Sequence, residues 1–248
     1  MNHYENLILD RINNAGKNTI DSEWLRQSYS PSLSIELKKT IAERIGTLSK
    51  EGWSIIKLLI NQYGIQQELI YAAGICHQPE AKNWLIKILK SNEEFDIEIL
   101  QALKCWGGSF SKKFLKKILN DPKHLKRLAG LELLSFKAYQ LSDSELLELT
   151  KNLLNDSHDQ VIISTIKILQ RRDGEKICNQ IIKVTAKGSD SVIHATLIAL
   201  GAIGTECSYK ALSQLTNQLP AGALLDLAHK QLDNQYRFTE TITKSTIK

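Results

Sequence analysis

Apolar residues along this chain recur at intervals of three and four, and the runs that carry the pattern themselves recur roughly every thirty residues. The clearest copy runs from Ser189–Asp190–Ser191–Val192–Ile193–His194–Ala195 to Ala199–Leu200–Gly201, followed by Cys207–Ser208–Tyr209–Lys210–Ala211–Leu212. The copy before it runs from Asp159–Gln160–Val161–Ile162 to Ile168–Leu169–Gln170, then Glu175–Lys176–Ile177–Cys178. An earlier copy ends at Tyr71–Ala72–Ala73–Gly74 and restarts at Pro79–Glu80–Ala81. A fixed period of this length predicts helix pairs, each of which buries its apolar side only by stacking on its neighbours. The expected architecture is an all-α, right-handed α-solenoid, which offers extended surfaces more readily than a catalytic pocket.

The pattern places helices at 2–15, 34–48 and 52–63, with an irregular stretch at 16–32 broken by Gly16, Ser28, Ser30 and Pro31. Residues 1–64 therefore read as an irregular N-terminal helical block, and 65–218 as the repeat array. The array divides into five pairs: 65–75 with 79–90, 94–104 with 110–119, 122–138 with 143–154, 158–171 with 174–187, and 189–203 with 206–218. Pro79 suits a first helical position, where its missing N–H costs nothing. Asp121–Pro122 reads as an N-cap followed by proline, and Gly107–Gly108 as a turn. Residues 219–237 form a capping helix, and 238–248, which lack apolar periodicity, read as a disordered tail.

The two helices of a pair differ. First helices are apolar nearly all round, as in Val161, Ile162, Ile163, Ile166, Ile168 and Leu169, so they touch neighbours on several sides. Second helices carry a narrower apolar stripe and more lysine. Their polar faces are the expected binding surface, because second helices usually line the concave side of such stacks.

Composition narrows the function classes. The chain has 248 residues, 42% hydrophobic and 24% charged, enough to bury a core and remain dissolved. No run of eighteen apolar residues occurs, and Met1–Asn2–His3–Tyr4–Glu5 lacks the basic and apolar segments of a secretory signal, so a cytoplasmic, non-membrane protein is expected. A net charge of +5 suits an acidic partner or anionic groups on a ligand, and is modest for nucleic acid.

Seven cations, Lys112, Lys113, Lys116, Lys117, Lys123, Lys126 and Arg127, fall within sixteen residues. At helical spacing 112 and 116, and 113 and 117, lie on adjacent stripes, which puts four ammonium groups on one face. Trp84 and Trp106 lie near successive turns, where an indole either lips a groove or plugs the join between repeats. Arg171 and Arg172 occupy a later turn, suited to bidentate carboxylate binding or to ion pairing between repeats.

Cys76 and Cys105 are 29 residues apart, as are Cys178 and Cys207. Alignment of the repeats sets Cys76 against Trp106 and Cys178 against Tyr209, so the cysteines form no column. Free thiols and no metal site are expected. No nucleophile elbow, phosphate loop, HExxH or paired-carboxylate signature is present.

Leu128–Ala129–Gly130–Leu131–Glu132–Leu133–Leu134, Leu169–Gln170–Arg171–Arg172–Asp173 and Ala199–Leu200–Gly201–Ala202–Ile203–Gly204 resemble HEAT repeats. Their short form, ending in Ala–Leu–Gly, is similar to that of the E/F-type phycobilisome lyases. Those proteins attach bilins to phycobiliprotein cysteines, remove them, or chaperone the apoproteins. The resemblance covers residues 65–218 and brings no short catalytic signature. It implies a bilin lyase subunit or phycobiliprotein chaperone that holds a linear tetrapyrrole transiently, without a covalently bound cofactor. A phycobiliprotein subunit and a second lyase chain would be its partners. The candidate contacts are Trp84, Trp106, Arg171, Arg172 and the four lysines of 112–117, with catalytic residues unassigned. The alternative is a non-catalytic HEAT scaffold for another assembly task, such as cofactor or iron–sulfur cluster delivery. Deoxyhypusine hydroxylases also stack such pairs but hold iron with His–Glu dipeptides, and none of the six histidines here precedes a glutamate.

Overall fold

A computed structural model describes residues 3–16, 20–91 and 94–246. Among these the chain forms fifteen α-helices and three short 3-10 turns, with no strand. The chain divides into two compact units, Met1–Phe110 and Ser111–Lys248.

The first unit holds α1 (His3–Ala15), α2 (Ser22–Ser28), α3 (Ile35–Thr47), α4 (Ser49–Tyr63), α5 (Gln67–Ile75), α6 (Pro79–Ser91) and α7 (Asp96–Leu103). Helices α3, α5 and α7 pack side by side as the first-helix layer, while α4 packs on α3 and α5, and α6 on α5 and α7. The layer is dry: Leu37, Ile41, Ile45, Leu69, Ile70, Ile99 and Leu100 are all fully buried. Burial of each such side chain contributes roughly 2 kcal/mol. Gly74 of the expected Ala–Ala–Gly motif lies where α5 meets α7. A Cβ there would stand 2.7 Å from the Ala102 carbonyl oxygen, so the motif is a condition for close helix approach.

The second unit holds α8 (Lys112–Leu119), α9 (His124–Lys137), α10 (Asp143–Thr150), α11 (Asp159–Leu169), α12 (Glu175–Val184), α13 (Asp190–Ile203), α14 (Glu206–Thr216) and α15 (Ala223–Thr246). First helices α9, α11, α13 and α15 form one layer, and second helices α8, α10, α12 and α14 the other. Caps mark the starts. The Ser111, Ser189 and Thr205 hydroxyls each accept the N–H three residues on, and Ser142 with Glu145 makes a reciprocal capping box. Gly204, at φ +64°, closes α13 in the left-handed region. Gln235 on α15 donates to the Leu200 carbonyl at 2.6 Å and to the Ser208 hydroxyl at 3.1 Å, fastening α15 to α13 and α14.

The helix-pair architecture follows the periodicity, with three local differences. The stretch 16–32 contains α2, started by Asp21, whose carboxylate accepts the Trp24 N–H. Asp121–Pro122 is a turn rather than a helix start. Asp121 accepts the Lys123 N–H two residues on, and α9 begins at His124. Helix α15 continues to Thr246, through most of the stretch read as a disordered tail. No glycine or proline follows Gly222, so nothing in the backbone stops propagation.

Candidate functional site

The lysine face of α8 is real but partly neutralised. Lys116 donates to Glu148 at 2.9 Å, and Lys112 is bonded to Glu145 on α10. The Lys112 bond holds the Glu145 carboxyl down to about 2. Lys113 and Lys117 are exposed and make no ion pair with the described residues. Two acids of α10 thus answer two of the four lysines on this face, one repeat away.

Arg127, in the same basic stretch, is structural. Its guanidinium grips Asp156 with Nε at 2.6 Å and Nη2 at 2.7 Å, while Nη1 donates to the Asp121 and Pro122 carbonyls. Burial alone would raise the Asp156 carboxyl. The Arg127 fork and the His158 backbone N–H outweigh it and hold the group below its usual range. Arg172 is also a brace: its Nη2 donates to the Ala138 and Leu141 carbonyls, across the 3-10 turn that precedes α10.

The tryptophans lie in the first unit, against neighbours. Trp84 is half-buried and tilts against Trp53, with ring centroids 5.6 Å apart. Trp106 ends a 3-10 turn before Gly107, at φ +53°, and stacks on His77 at 5.2 Å and 13°. Both sit at joins between helix pairs. The Trp53 partner falls in the block for which the sequence suggested no role.

Arg171 has a different setting. It borders a groove of about 820 Å³ between α11, α13 and the start of α15. Ile163, Ala195, Ile198 and Leu224 supply apolar wall, and Ile198 keeps 41% of its surface exposed. Lys167 and Arg171 line the groove from the α11 side and His194 from α13, with Asp190 the acid among its lining residues. An open, largely apolar groove with Lys167 and Arg171 among its lining residues suits an amphipathic molecule that carries carboxylates.

No protein-family model and no curated protein matches the chain. Solved structures resemble it at low identity. Human deoxyhypusine hydroxylase in complex with glycerol is 18% identical, over 87% of this chain and 84% of its own, with a TM-score of 0.44. An engineered protein is 16% identical, over 94% and 71%, with a TM-score of 0.49. The complex of CpcE and CpcF of phycocyanin lyase from Nostoc sp. PCC7120 is 15% identical, over 89% and 96%, with a TM-score of 0.45.

Of the residues singled out in the sequence, only Arg171 lines this groove. Lys167 and His194 were missed because they lie on first helices, whereas the expected surface was the polar side of second helices. The available signal was the pair Lys167 and Arg171, four apart, beside the half-buried Ile163 and the exposed Ile198 of successive copies. Among the described residues no three His, Cys, Asp or Glu side chains converge as a metal site, and no helix is long and apolar enough to cross a membrane.

Proposed function

We propose that this chain is a HEAT-like binding module of the phycobilin lyase or chaperone type, which holds a linear tetrapyrrole in the α11–α13 groove. The observation that carries the reading is the groove itself: about 820 Å³ of largely apolar trough with Lys167, Arg171 and His194 among its lining residues. A bilin has an extended conjugated body and two propionates. The body would lie on Ile163, Ala195, Ile198 and Leu224, and the propionates would pair with the cations. The motifs of residues 128–134, 169–173 and 199–204 lend the same reading their resemblance to the E/F-type lyases.

In this reading the chain contributes position rather than acid–base chemistry. It would hold the bilin so that the acceptor thiol of a partner subunit adds to the exposed vinyl or ethylidene group. The partners are then a phycobiliprotein subunit and a second lyase chain, in the cytoplasm. Lys113 and Lys117, which carry no ion pair with the described residues, offer a docking point for an acidic partner surface.

Biliverdin titrated into the purified chain should show a red-shifted, sharpened long-wavelength band as the chromophore is extended and shielded. Arg171→Glu combined with Lys167→Glu should abolish the change. Unaltered bilin absorbance with and without apo-phycobiliprotein would leave the scaffold reading, in which the same surfaces serve another assembly.

A further inference from the structure

The groove between α11 and α13 carries charge of both signs, sorted to its two ends. Helices α11 and α13 pack side by side as consecutive first helices. Asp190 opens α13, and both it and Ser191 line the groove. The register of the two helices is fixed by Asp159, the first residue of α11. Its carboxylate accepts the Ser189 hydroxyl at 2.5 Å and the Ser191 hydroxyl at 3.2 Å, so the two helix starts are level. Lys167 stands about 12 Å farther along α11 than Asp159, with Arg171 one turn beyond it. Acid and cations thus occupy opposite ends of the groove.

Asp190 differs from the acid beside it. Asp159 is held by two serine hydroxyls, whereas Asp190 is exposed and makes no hydrogen bond or ion pair with the described residues. Lys167 and Arg171 are exposed and equally without such a bond among the described residues. His194, one turn along α13 from Asp190, is the remaining titratable group in the lining, and α15 contributes only the neutral Ala223 and Leu224.

A carboxylate in an open groove costs nothing while water covers it. Once a ligand covers it, the lost hydration is unfavourable unless the ligand brings a donor. An aliphatic carboxylate could set its head on Lys167 and Arg171. Its tail would then lie over Asp190 and strip water without returning a hydrogen bond. A linear tetrapyrrole carries propionates on one edge and ring N–H donors on the other, so it answers both ends of the groove.

We infer that Asp190 selects a linear tetrapyrrole over an aliphatic carboxylate, by accepting hydrogen bonds from the ring N–H groups while Lys167 and Arg171 hold the propionates. The inference rests on the tetrapyrrole reading of this groove and adds what the groove rejects. Discrimination comes chiefly from the penalty on the wrong ligand, which leaves a covered carboxylate unanswered. The same division of charge orients the ligand, with its nitrogen edge toward the helix starts.

Biliverdin and palmitate, each titrated into the full chain and into Asp190→Leu and Asp190→Asn, test this. The native chain should bind biliverdin at least tenfold more tightly than palmitate. Asp190→Leu should weaken biliverdin about tenfold and strengthen palmitate, so that the preference disappears. Asp190→Asn keeps an acceptor oxygen and a polar first turn of α13, and should retain most of the biliverdin affinity. Biliverdin dimethyl ester, which has the N–H groups without the carboxylates, should still respond to Asp190→Leu but not to reversal of Lys167 and Arg171. Tight biliverdin binding that Asp190→Leu leaves unchanged, with palmitate unchanged too, would overturn the role of Asp190 and leave the bilin reading standing. A native chain that binds palmitate alone, or neither ligand, would sink both.

Discussion

The lysine face of α8 and the groove between α11 and α13 both present cations, and they differ in what stands opposite. On α8 the charges are dense, but Glu145 and Glu148 of the next second helix meet Lys112 and Lys116. In the groove the cations are few, and the walls beside them are Ile163, Ala195, Ile198 and Leu224. Charge density along a sequence therefore says little about binding. A cation facing an acid one repeat away belongs to the scaffold, and a cation bordering exposed apolar surface has yet to meet its counterpart.

The largest expected effect comes from a cation that belongs wholly to the scaffold. Arg127→Ala strands Asp156, whose side chain keeps 6% of its surface exposed, and should cost about 3 kcal/mol in urea unfolding. The pH dependence has a definite sign. The Asp156 carboxyl is lowered in the folded chain, so its contribution is present above the usual carboxylate range and disappears as pH falls through the depressed value. The gap between the native chain and Asp156→Asn should narrow over that acidic window. A gap that widens toward acid would reverse the assignment.

Next in size is the groove. Reversal of Lys167 and Arg171 to glutamate should weaken biliverdin binding at least tenfold, about 1.4 kcal/mol, in an absorbance titration. The same reversal at Lys113 and Lys117 should leave it within twofold and instead slow association with an acidic partner, most clearly at low salt. Equal losses from both pairs would erase the distinction between the two surfaces.

Smaller again is Trp106→Ala. It removes the stack on His77 and should cost about 1 kcal/mol beyond the lost burial, with the bilin titration unchanged. Smallest of all, Lys112→Ala should leave the thermal midpoint where it was, since its bond to Glu145 is solvent-exposed. A clear drop there would mean that the α8–α10 ion pairs hold the second-helix layer together.

The layered helix pairs were legible because i, i+3, i+4 apolar spacing is a local property, and Val161, Ile166 and Leu169 announce their burial without reference to anything distant. The short helix α2 was not, because seven residues carry too few apolar positions to show a period, and only Asp21 marked its start. Site features failed for the opposite reason. Whether Arg172 binds a ligand or braces the Ala138 and Leu141 carbonyls depends on residues some thirty positions earlier.

Gly74 has a mechanical consequence. It marks the contact at which α5 rests on α7, with the Ala102 carbonyl oxygen 2.7 Å from where a methyl carbon would stand. Such a contact works as a fulcrum. A methyl group inserted there would pry the helices apart by a fraction of an ångström at the pivot, and the displacement would grow along the helices away from it. Gearing between neighbouring repeats is thus set at a single hydrogen atom, and a lineage that needed a different bend could obtain it by changing that one side chain instead of redrawing a surface.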